Sequence, residues 1–328
     1  MTKTITSQLN KAGRAIIINV DDLGLSPAVN SAVLRLAGRG LVGATSFMAG
    51  GVLSTDEVQA LDNFKVDVGL HVDFTGIFPT HLKRDLPALI RASYLRQLNT
   101  KLITEVIRQQ FDAFEAIFQR APVFIDGHQH IHQLPIIRQC LMNELVARYG
   151  QAAAAKHPTI KAVLPRARVT TPLIKDAKSQ IIYRLGGKAW QQLCEGHQVA
   201  TNNYFAGVYD FKAERHELKA LWQQWLSAAP TTNYLAAGLH MCQPDLEPLG
   251  TYAQYGSTTP AIHSVPLGLP KNMVTTLIMC HPAVPDISWN DEIKGARERE
   301  FAWLMSPEFE HLLEDYQVRL VKWSEIAA

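Results

Sequence analysis

The feature that most constrains the fold is a short apolar run at residues 15–20, Ala-Ile-Ile-Ile-Asn-Val, which ends directly at Asp21 and Asp22. A run this rich in β-branched residues indicates a buried strand. In α/β folds the chemistry lies at the carboxyl ends of strands, which is where the two aspartates stand. Because adjacent carboxylates repel, both stay ionised only beside a cation or strong hydrogen-bond donors. The pair therefore predicts a metal site.

Two later apolar runs end in further candidate ligands. His71 closes the run at 66–70, and a histidine-rich segment closes the run that begins at Phe124. In an extended segment alternate side chains share a face, so we expect four side chains of the third run to point the same way: Asp126, His128, His130 and His132. Imidazole with carboxylate suits zinc, manganese, iron or nickel, whereas magnesium prefers more oxygen ligands. Two histidines and one carboxylate would leave positions open for water and substrate, as in a catalytic site.

Strand-like and helix-like segments alternate along the whole chain. Ser26 can cap a helix whose first residue is Pro27, and Ser54 with Glu57 forms a capping box for another. The alternation predicts a mostly parallel α/β sheet, either doubly wound or closed, and chemistry at several strand ends favours a distorted (β/α) barrel. Beyond the run at 15–20, strands are predicted near 44–49, 66–70, 122–125, 161–164, 274–280 and 318–321, and later helices near 100–118, 136–148, 173–185, 218–226 and 297–305.

Length and composition describe an ordinary globular protein. The 328 residues predict one barrel domain, 1–328, with a proline-rich loop insertion at about 240–272 in the C-terminal third. A net charge of +2 gives no electrostatic case for nucleic acid. No segment approaches the roughly 18 consecutive apolar residues of a membrane span. Four dispersed cysteines and the lack of a cleavable signal predict a cytoplasmic location.

Four motifs together resemble the YdjC-like carbohydrate deacetylases, a family that includes chito-oligosaccharide deacetylase and a hopanoid-biosynthesis deacetylase. The motifs are Asn19-Val-Asp-Asp-Leu-Gly-Leu-Ser26, Gly69-Leu-His-Val-Asp-Phe-Thr75, Ile125-Asp-Gly-His-Gln-His-Ile-His132 and Met279-Cys-His-Pro282, and Arg297 and Glu300 fit the family's ending. Their order spans nearly the entire chain. Ala283 departs from the family, which usually has glycine after its His-Pro.

The resemblance implies a distorted α/β barrel that binds one divalent cation, Zn²⁺ or Mg²⁺. The implied reaction removes the acetyl group of an N-acetylated mono- or oligosaccharide, with a metal-bound water attacking the amide carbonyl. The implied metal ligands are Asp22, His71 and His128, with Asp21 as general base and His281 as a second catalytic histidine. The family also has an arginine in its middle portion, which either Arg166 or Arg168 could match.

Three further residues complete the expected substrate site. His130 and His132 would be neighbours of the metal ligands or substrate contacts, and Trp289, in the loop beyond His281, is the candidate for stacking on a sugar ring. Two alternative functions stay open. The His130-Ile-His132 pair suggests an amidohydrolase-type enzyme acting on another amide, and a catalytically silent carbohydrate-binding relative would keep the same metal. The oligomeric state is also open, a homodimer included.

Overall fold

The computed structural model describes residues 11–151, 164–234 and 273–326. Its strands are β1 (Lys11–Leu23), β2 (Ala44–Phe47), β3 (Asp67–Val72), β4 (Phe124–Gly127), β5 (Arg166–Ala167), β6 (Tyr204–Ala206), β7 (Thr232–Tyr234), β8 (Thr275–Cys280) and β9 (Val318–Leu320). Its helices are α1 (Pro27–Gly38), α2 (Thr55–Asn63), α3 (Leu86–Tyr94), α4 (Thr100–Phe118), α5 (Ile137–Tyr149), α6 (Ala177–Ile182), α7 (Lys188–Gly196), α8 (Arg215–Ala228), α9 (Lys294–Leu304) and α10 (Pro307–Asp315).

β1 is a central strand of the sheet, whose order is β5-β4-β3-β2-β1-β8-β6. Neighbours in this order run parallel, and β9 and β7 add to the start of β1, parallel and antiparallel respectively. The chain around the end strands β5 and β6 meets through isolated parallel bridges at Ala167–Thr201 and Pro172–Phe205. The sheet therefore curls into an incompletely closed barrel, which confirms the predicted α/β class with mostly parallel strands.

Both faces of β1 are buried, as expected for a parallel strand covered by helices. Ile16 and Ile18 belong to the large core that includes the packed faces of the helices. Ile17 belongs to a separate cluster, together with Phe205, Leu277 and Trp323 from other parts of the sheet and the C-terminal segment. Since alternate residues of a strand share a face, Asn19 and Asp21 point to the same side as Ile17.

The first two helices begin as predicted. Ser26 accepts a hydrogen bond from the Val29 amide and Pro27 is the first helical residue of α1. Ser54 and Glu57 form the capping box that starts α2. These caps fix where the helices begin after β1 and β2.

Three predicted segments differ from the structure or fall outside it. The predicted strand at 161–164 lies mostly outside the described residues, and β5 forms at Arg166–Ala167 instead. The predicted helix at 173–185 begins later, at Ala177, because the Leu173 amide donates to the Phe205 carbonyl in the closing edge of the sheet. The predicted insertion at 240–272 lies outside the described residues. None of the described helices is long and apolar enough to cross a membrane.

Candidate active site

The predicted site residues come from distant parts of the sequence but from neighbouring strands. Carboxyl ends of parallel strands meet at one edge of a sheet, so side chains just beyond them converge. The converging residues are Asp21 and Asp22 at the end of β1, His71 in β3, His128 after β4, Arg168 after β5 and His281 after β8.

Asp22, His71 and His128 form a compact triad. The Asp22 Oδ1 atom lies 2.9 Å from His128 Nδ1 and 3.3 Å from His71 Nε2, and one donor atom from each residue lies within 4.8 Å of the others. Asp22 has a φ of +68°, in the left-handed region that aspartate tolerates better than most residues. The other oxygen of Asp22, Oδ2, accepts a hydrogen bond from Arg297 Nη2 at 2.7 Å. The carboxylate therefore has one oxygen anchored and one facing the two imidazoles.

Asp126 lies behind His71. Its Oδ1 is 2.6 Å from His71 Nδ1, and its Oδ2 accepts a hydrogen bond from Ser46 Oγ at 2.8 Å. A carboxylate on one ring nitrogen of a histidine leaves the other nitrogen free to bind a metal, as in many metal sites. Asp126 therefore orients His71 Nε2 towards Asp22.

The expected alternation along residues 126–132 is wrong. β4 ends at Gly127 and residues 128–133 form a 3₁₀ turn, with Gln129 and His130 at positive φ. The backbone packs so tightly here that a Cβ atom at Gly127 would lie 2.9 Å from the Cβ of His132. Because the turn rotates each residue to a new direction, Asp126, His128, His130 and His132 do not share a face.

Asp21 has different surroundings from its neighbour Asp22. Its two oxygens accept hydrogen bonds from Arg168 Nη1 and Nη2 at 2.7 and 2.5 Å, and Oδ1 also accepts one from Asn19 Nδ2 at 2.7 Å. Arg168 is fully buried and also contacts Asp126 Oδ2 at 2.5 Å. His281 Nε2 lies 3.9 Å from Asp21 Oδ2. Asp21 is thus a clamped carboxylate that faces one imidazole.

The buried carboxylates of the centre outnumber its guanidinium groups. Three buried carboxylates, Asp21, Asp22 and Asp126, stand against two buried guanidinium groups. Burial raises the pKa of both Asp21 and Asp22, but the arginines reverse the effect and hold each pKa below its usual value. The arginines therefore supply the strong donors that an adjacent aspartate pair requires. Two guanidinium groups balance two of the three carboxylates and leave one.

The same field acts on His71. Burial alone would lower the pKa of His71, but the carboxylate of Asp126, with help from Asp22 and Asp21, raises it to about 10. Without a metal His71 therefore carries a proton, which balances the third carboxylate. A divalent cation held by this group of nitrogen and oxygen donors would displace that proton and replace its charge, so the donor set fits such an ion.

His130 and His132 lie close to the centre but not in the triad. His132 is fully buried, where it packs edge-on against Trp190 and its Nε2 is 3.3 Å from the Arg168 carbonyl oxygen. His130 packs edge-on against Phe205. Burial, followed by the positive charge of Arg168, lowers the pKa of each of these histidines to about 3. Both are therefore neutral side chains, and His132 supports the backbone that carries Arg168.

The structure distinguishes the two arginines that the sequence left as alternatives. Arg168 contacts Asp21, whereas the Arg166 guanidinium donates to the carbonyl oxygens of Ser324 and Ile326 in the C-terminal segment. Trp289 packs beside the start of α1 in a small apolar cluster with Ala28 and Val29. Arg166 is thus directed away from Asp21, and Trp289 lies against the helix that follows the aspartate pair.

Several residues around His281 have contacts that the sequence did not predict. The His281 amide donates to Glu300 Oε2 at 2.5 Å, and the Phe211 ring packs edge-on against the imidazole with centroids 5.3 Å apart. Arg297 and Glu300 are three residues apart in α9 and both are buried. Residues three apart in a helix share a face, and this helix also carries buried apolar residues. That spacing was the sequence signal that could have predicted that both charged side chains face inward.

A cavity of about 970 Å³ lies close in sequence to the aspartate pair. It begins at Gly24, two residues after Asp22, and continues between the start of α1 and the start of α2. Its walls combine apolar side chains with polar ones, among them Leu25, Val52, Asn30 and Asp56. No triad residue lines it, so it is separate from the candidate metal centre.

Comparisons with known proteins agree with this architecture. The family model described as YdjC-like protein matches residues 15–315. A chitooligosaccharide deacetylase from Enterobacter sp. (strain 638) is 29% identical over 149 residues, which are 42% of this chain and 58% of that protein, so the match spans little more than half of the relative. A crystal structure from Enterococcus faecalis V583, provisionally described as a cellobiose-phosphate cleavage protein, is 17% identical with a TM-score of 0.58 and covers 96% of this chain and 100% of its own. That likeness shows a shared fold.

Proposed function

This chain belongs to the YdjC-like family, and on that premise we propose that it is a metal-dependent carbohydrate N-deacetylase. The observation that carries the proposal is the juxtaposition of two units at one sheet edge. One is the Asp22–His71–His128 triad, and the other is the Asp21–His281 pair, in which the facing atoms are 3.9 Å apart. Amide hydrolysis needs an activated water, stabilisation of a negative oxygen and a proton for the departing amine, and these units can provide all three.

The triad would hold one divalent cation, with Asp22, His71 and His128 as its protein ligands. When bound, such an ion lowers the pKa of a coordinated water and polarises a carbonyl group. Two imidazoles and one carboxylate favour zinc or a similar transition metal over magnesium, which prefers oxygen ligands. We therefore propose zinc as the better match of the two expected ions.

Asp21 and His281 would handle protons. Arg168 keeps Asp21 ionised at neutral pH, so its carboxylate is available to accept a proton from the attacking water. His281 Nε2 lies 3.9 Å from Asp21 Oδ2 and could donate a proton to the amine as the C–N bond breaks. Arg168 has both its Nη atoms on carboxylates, so we assign it to holding Asp21 and Asp126 in place.

We propose that the cavity that begins at Gly24, two residues after Asp22, accommodates further parts of an N-acetylated sugar. Its volume of about 970 Å³ is at the upper end of the range typical of small-molecule sites. Val52 lines it and is 79% exposed, so a larger side chain there would narrow the cavity without disturbing the core. Val52→Trp should reduce kcat/KM for chito-oligosaccharides more than for the monosaccharide.

The proposed function is tested by acetate release. The metal-free protein should be loaded with zinc or magnesium and given N-acetylated chito-oligosaccharides and a panel of other acetamido sugars. We expect acetate release that needs the metal and is abolished in His128→Ala. Failure to release acetate from every sugar, in protein that binds one equivalent of metal, would contradict deacetylation and favour a silent carbohydrate-binding relative.

The amidohydrolase-type alternative depended on His130 and His132 as a ligand pair. Among the described residues, the groups close enough to share one ion contain neither of these histidines. Hydrolysis of simple non-sugar amides in the same assay, without activity on acetamido sugars, would favour this alternative.

A further inference from the structure

Helix α9 (Lys294–Leu304) contacts both halves of the candidate site. We propose that it is the positioning element of the centre: Arg297 fixes the metal ligand Asp22, and Glu300 fixes the acid candidate His281. The assignment of His281 rests on the proposed function, but the contacts do not. Both residues are at least nine-tenths buried, with 2% and 4% of their surface exposed.

The Arg297 contact acts on the metal side. Its Nη2 donates to Asp22 Oδ2, while its Nε pairs with Asp291 at the start of the same helical region. A guanidinium held at two places is a rigid donor, so Asp22 cannot rotate to offer both oxygens to an ion. Arg297 would therefore leave Asp22 only Oδ1, the oxygen that faces His71 Nε2 and His128 Nδ1, for holding a metal.

The Glu300 contact acts on the proton side, one helical turn later. Glu300 Oε2 accepts the His281 amide hydrogen, and Oε1 accepts the hydroxyl of Tyr209 at 2.6 Å. The backbone carbonyl of Arg297 also accepts the Ala283 amide. The loop that carries His281 is thus hydrogen-bonded to α9 on both sides of Pro282. These bonds fix the backbone to which the imidazole is attached.

Helix α9 also holds the segment that carries Phe211, whose ring packs against His281. Arg299 donates through Nε and Nη2 to the carbonyl oxygens of Ala213 and Phe211. Phe211 has a φ of +63°, a strained conformation for a bulky residue, and such strain persists only where surrounding contacts impose it. Because Tyr209 and Arg299 grip both sides of this turn, the Phe211 ring is kept against the His281 imidazole.

Three substitutions of Glu300 separate position from charge. Glu300→Gln keeps the length of the side chain, and its amide can still accept from His281 and meet the Tyr209 hydroxyl. Glu300→Asp keeps the charge but is too short to reach both partners, and Glu300→Ala removes both bonds. We expect Gln to retain turnover within about threefold of the parent protein, while Asp and Ala lose at least about tenfold in kcat with little change in KM.

Two readouts do not depend on activity. Hydrogen exchange of the His281 amide should be faster in Glu300→Asp and Glu300→Ala than in the parent or Glu300→Gln, with metal affinity unchanged. Arg297→Gln should do the reverse, with metal affinity weakened about 10- to 100-fold and His281 exchange unchanged. Glu298→Ala is the matched control, because its side chain makes no hydrogen bond or ion pair with the described residues.

The outcomes separate this proposal from the proposed function. A parent protein that releases no acetate, but shows both the exchange and the affinity effects, would overturn deacetylation and support α9 as the positioning element. Equal losses in Glu300→Gln and Glu300→Ala, with full activity in Glu300→Asp, would show that charge matters and not position. Unchanged His281 exchange in Glu300→Ala, or unchanged metal affinity in Arg297→Gln, would also overturn the proposal.

Discussion

Asp21 and Asp22 are neighbours in the chain, yet the two sides of the centre that they begin differ in almost every contact. Asp21 accepts two hydrogen bonds from Arg168 and one from Asn19, whereas Asp22 is bonded to Arg297 through one oxygen and shows the other to two imidazoles. The positive φ of Asp22 falls in an irregular stretch of β1, where the pairing with β2 shifts register between Val20 and Leu23. Two neighbouring residues of one type thus have different surroundings, because Arg168 binds both oxygens of Asp21 whereas Arg297 binds one oxygen of Asp22.

The largest effect should come from removing the charge of Asp21. Asp21→Asn keeps the shape of the side chain but removes the proton acceptor, so we expect turnover to fall about 10²- to 10⁴-fold. Metal affinity should stay within a fewfold of the parent, since Asp21 is not one of the three proposed ligands. Steady-state kinetics with a chelator competition would measure both, and a correctly folded Asp21→Asn protein without metal would erase the distinction between the two sides.

Breaking the clamp on the Asp21 side should destabilise the whole fold. Arg168→Met leaves the carboxylates of Asp21 and Asp126 buried without their partner, and losing one member of a buried ion pair typically costs about 3–5 kcal/mol. Arg166→Met is the matched control two residues earlier, because its partners are backbone carbonyls. Urea denaturation would compare them, and equal losses would mean that the buried pairs contribute little.

On the Asp22 side the expected effect is on metal binding. His71→Ala removes one of three ligands, so the dissociation constant for zinc should rise more than about 100-fold, above the usual effect of changing a residue behind a ligand. His311→Ala, an exposed histidine on α10, controls for unspecific binding. Isothermal titration of the metal-free proteins would measure the difference, and near-parent affinity in His71→Ala would remove His71 from the triad.

The smallest effect should be a pH dependence of stability that comes from His132, which lies beside the Arg168 backbone. Burial, and then Arg168, lowers the pKa of His132 from 6.5 to about 3, so the unfolded chain gains a proton below pH 6.5 while the folded protein stays neutral there. The free energy of unfolding should therefore fall as pH drops from 6.5 towards 3, by at most about 1.4 kcal/mol per unit from this residue. Urea denaturation at pH 7, 6 and 5 should show a shallower decline in His132→Phe, and identical slopes would contradict a buried neutral histidine.

Much of the fold could be read from local patterns. The β-branched run of β1, the Ser26 and Ser54 caps and the alternation of strands with helices follow short-range rules, and all appear in the structure. The turn at 128–133 could not be predicted in this way. An extended chain and a 3₁₀ turn are both compatible with its composition, and the close packing of Gly127 on His132 decides between them.

The candidate site shows the same division. Position at strand ends indicated Asp21, Asp22, His71 and His128 as a set, because parallel strands bring their carboxyl ends together. The pairing of arginines with aspartates could not be predicted. The sequence left Arg166 and Arg168 as alternatives, and Arg168 and Arg297 lie more than a hundred residues from Asp21 and Asp22 respectively. Only the tertiary fold places an arginine side chain close enough to pair with each aspartate.

By itself the sequence determined the parallel α/β class and which residue types stand at the strand ends, since periodicity and capping act within a few residues of the chain. The tertiary structure alone decided which oxygen of each aspartate is free, which nitrogen of His71 faces outward and which arginine balances which carboxylate. Those choices depend on distances of 2.5 to 3.9 Å between segments that are remote in sequence. Electrostatic and hydrogen-bond energies change sharply over that range, and no local pattern encodes it.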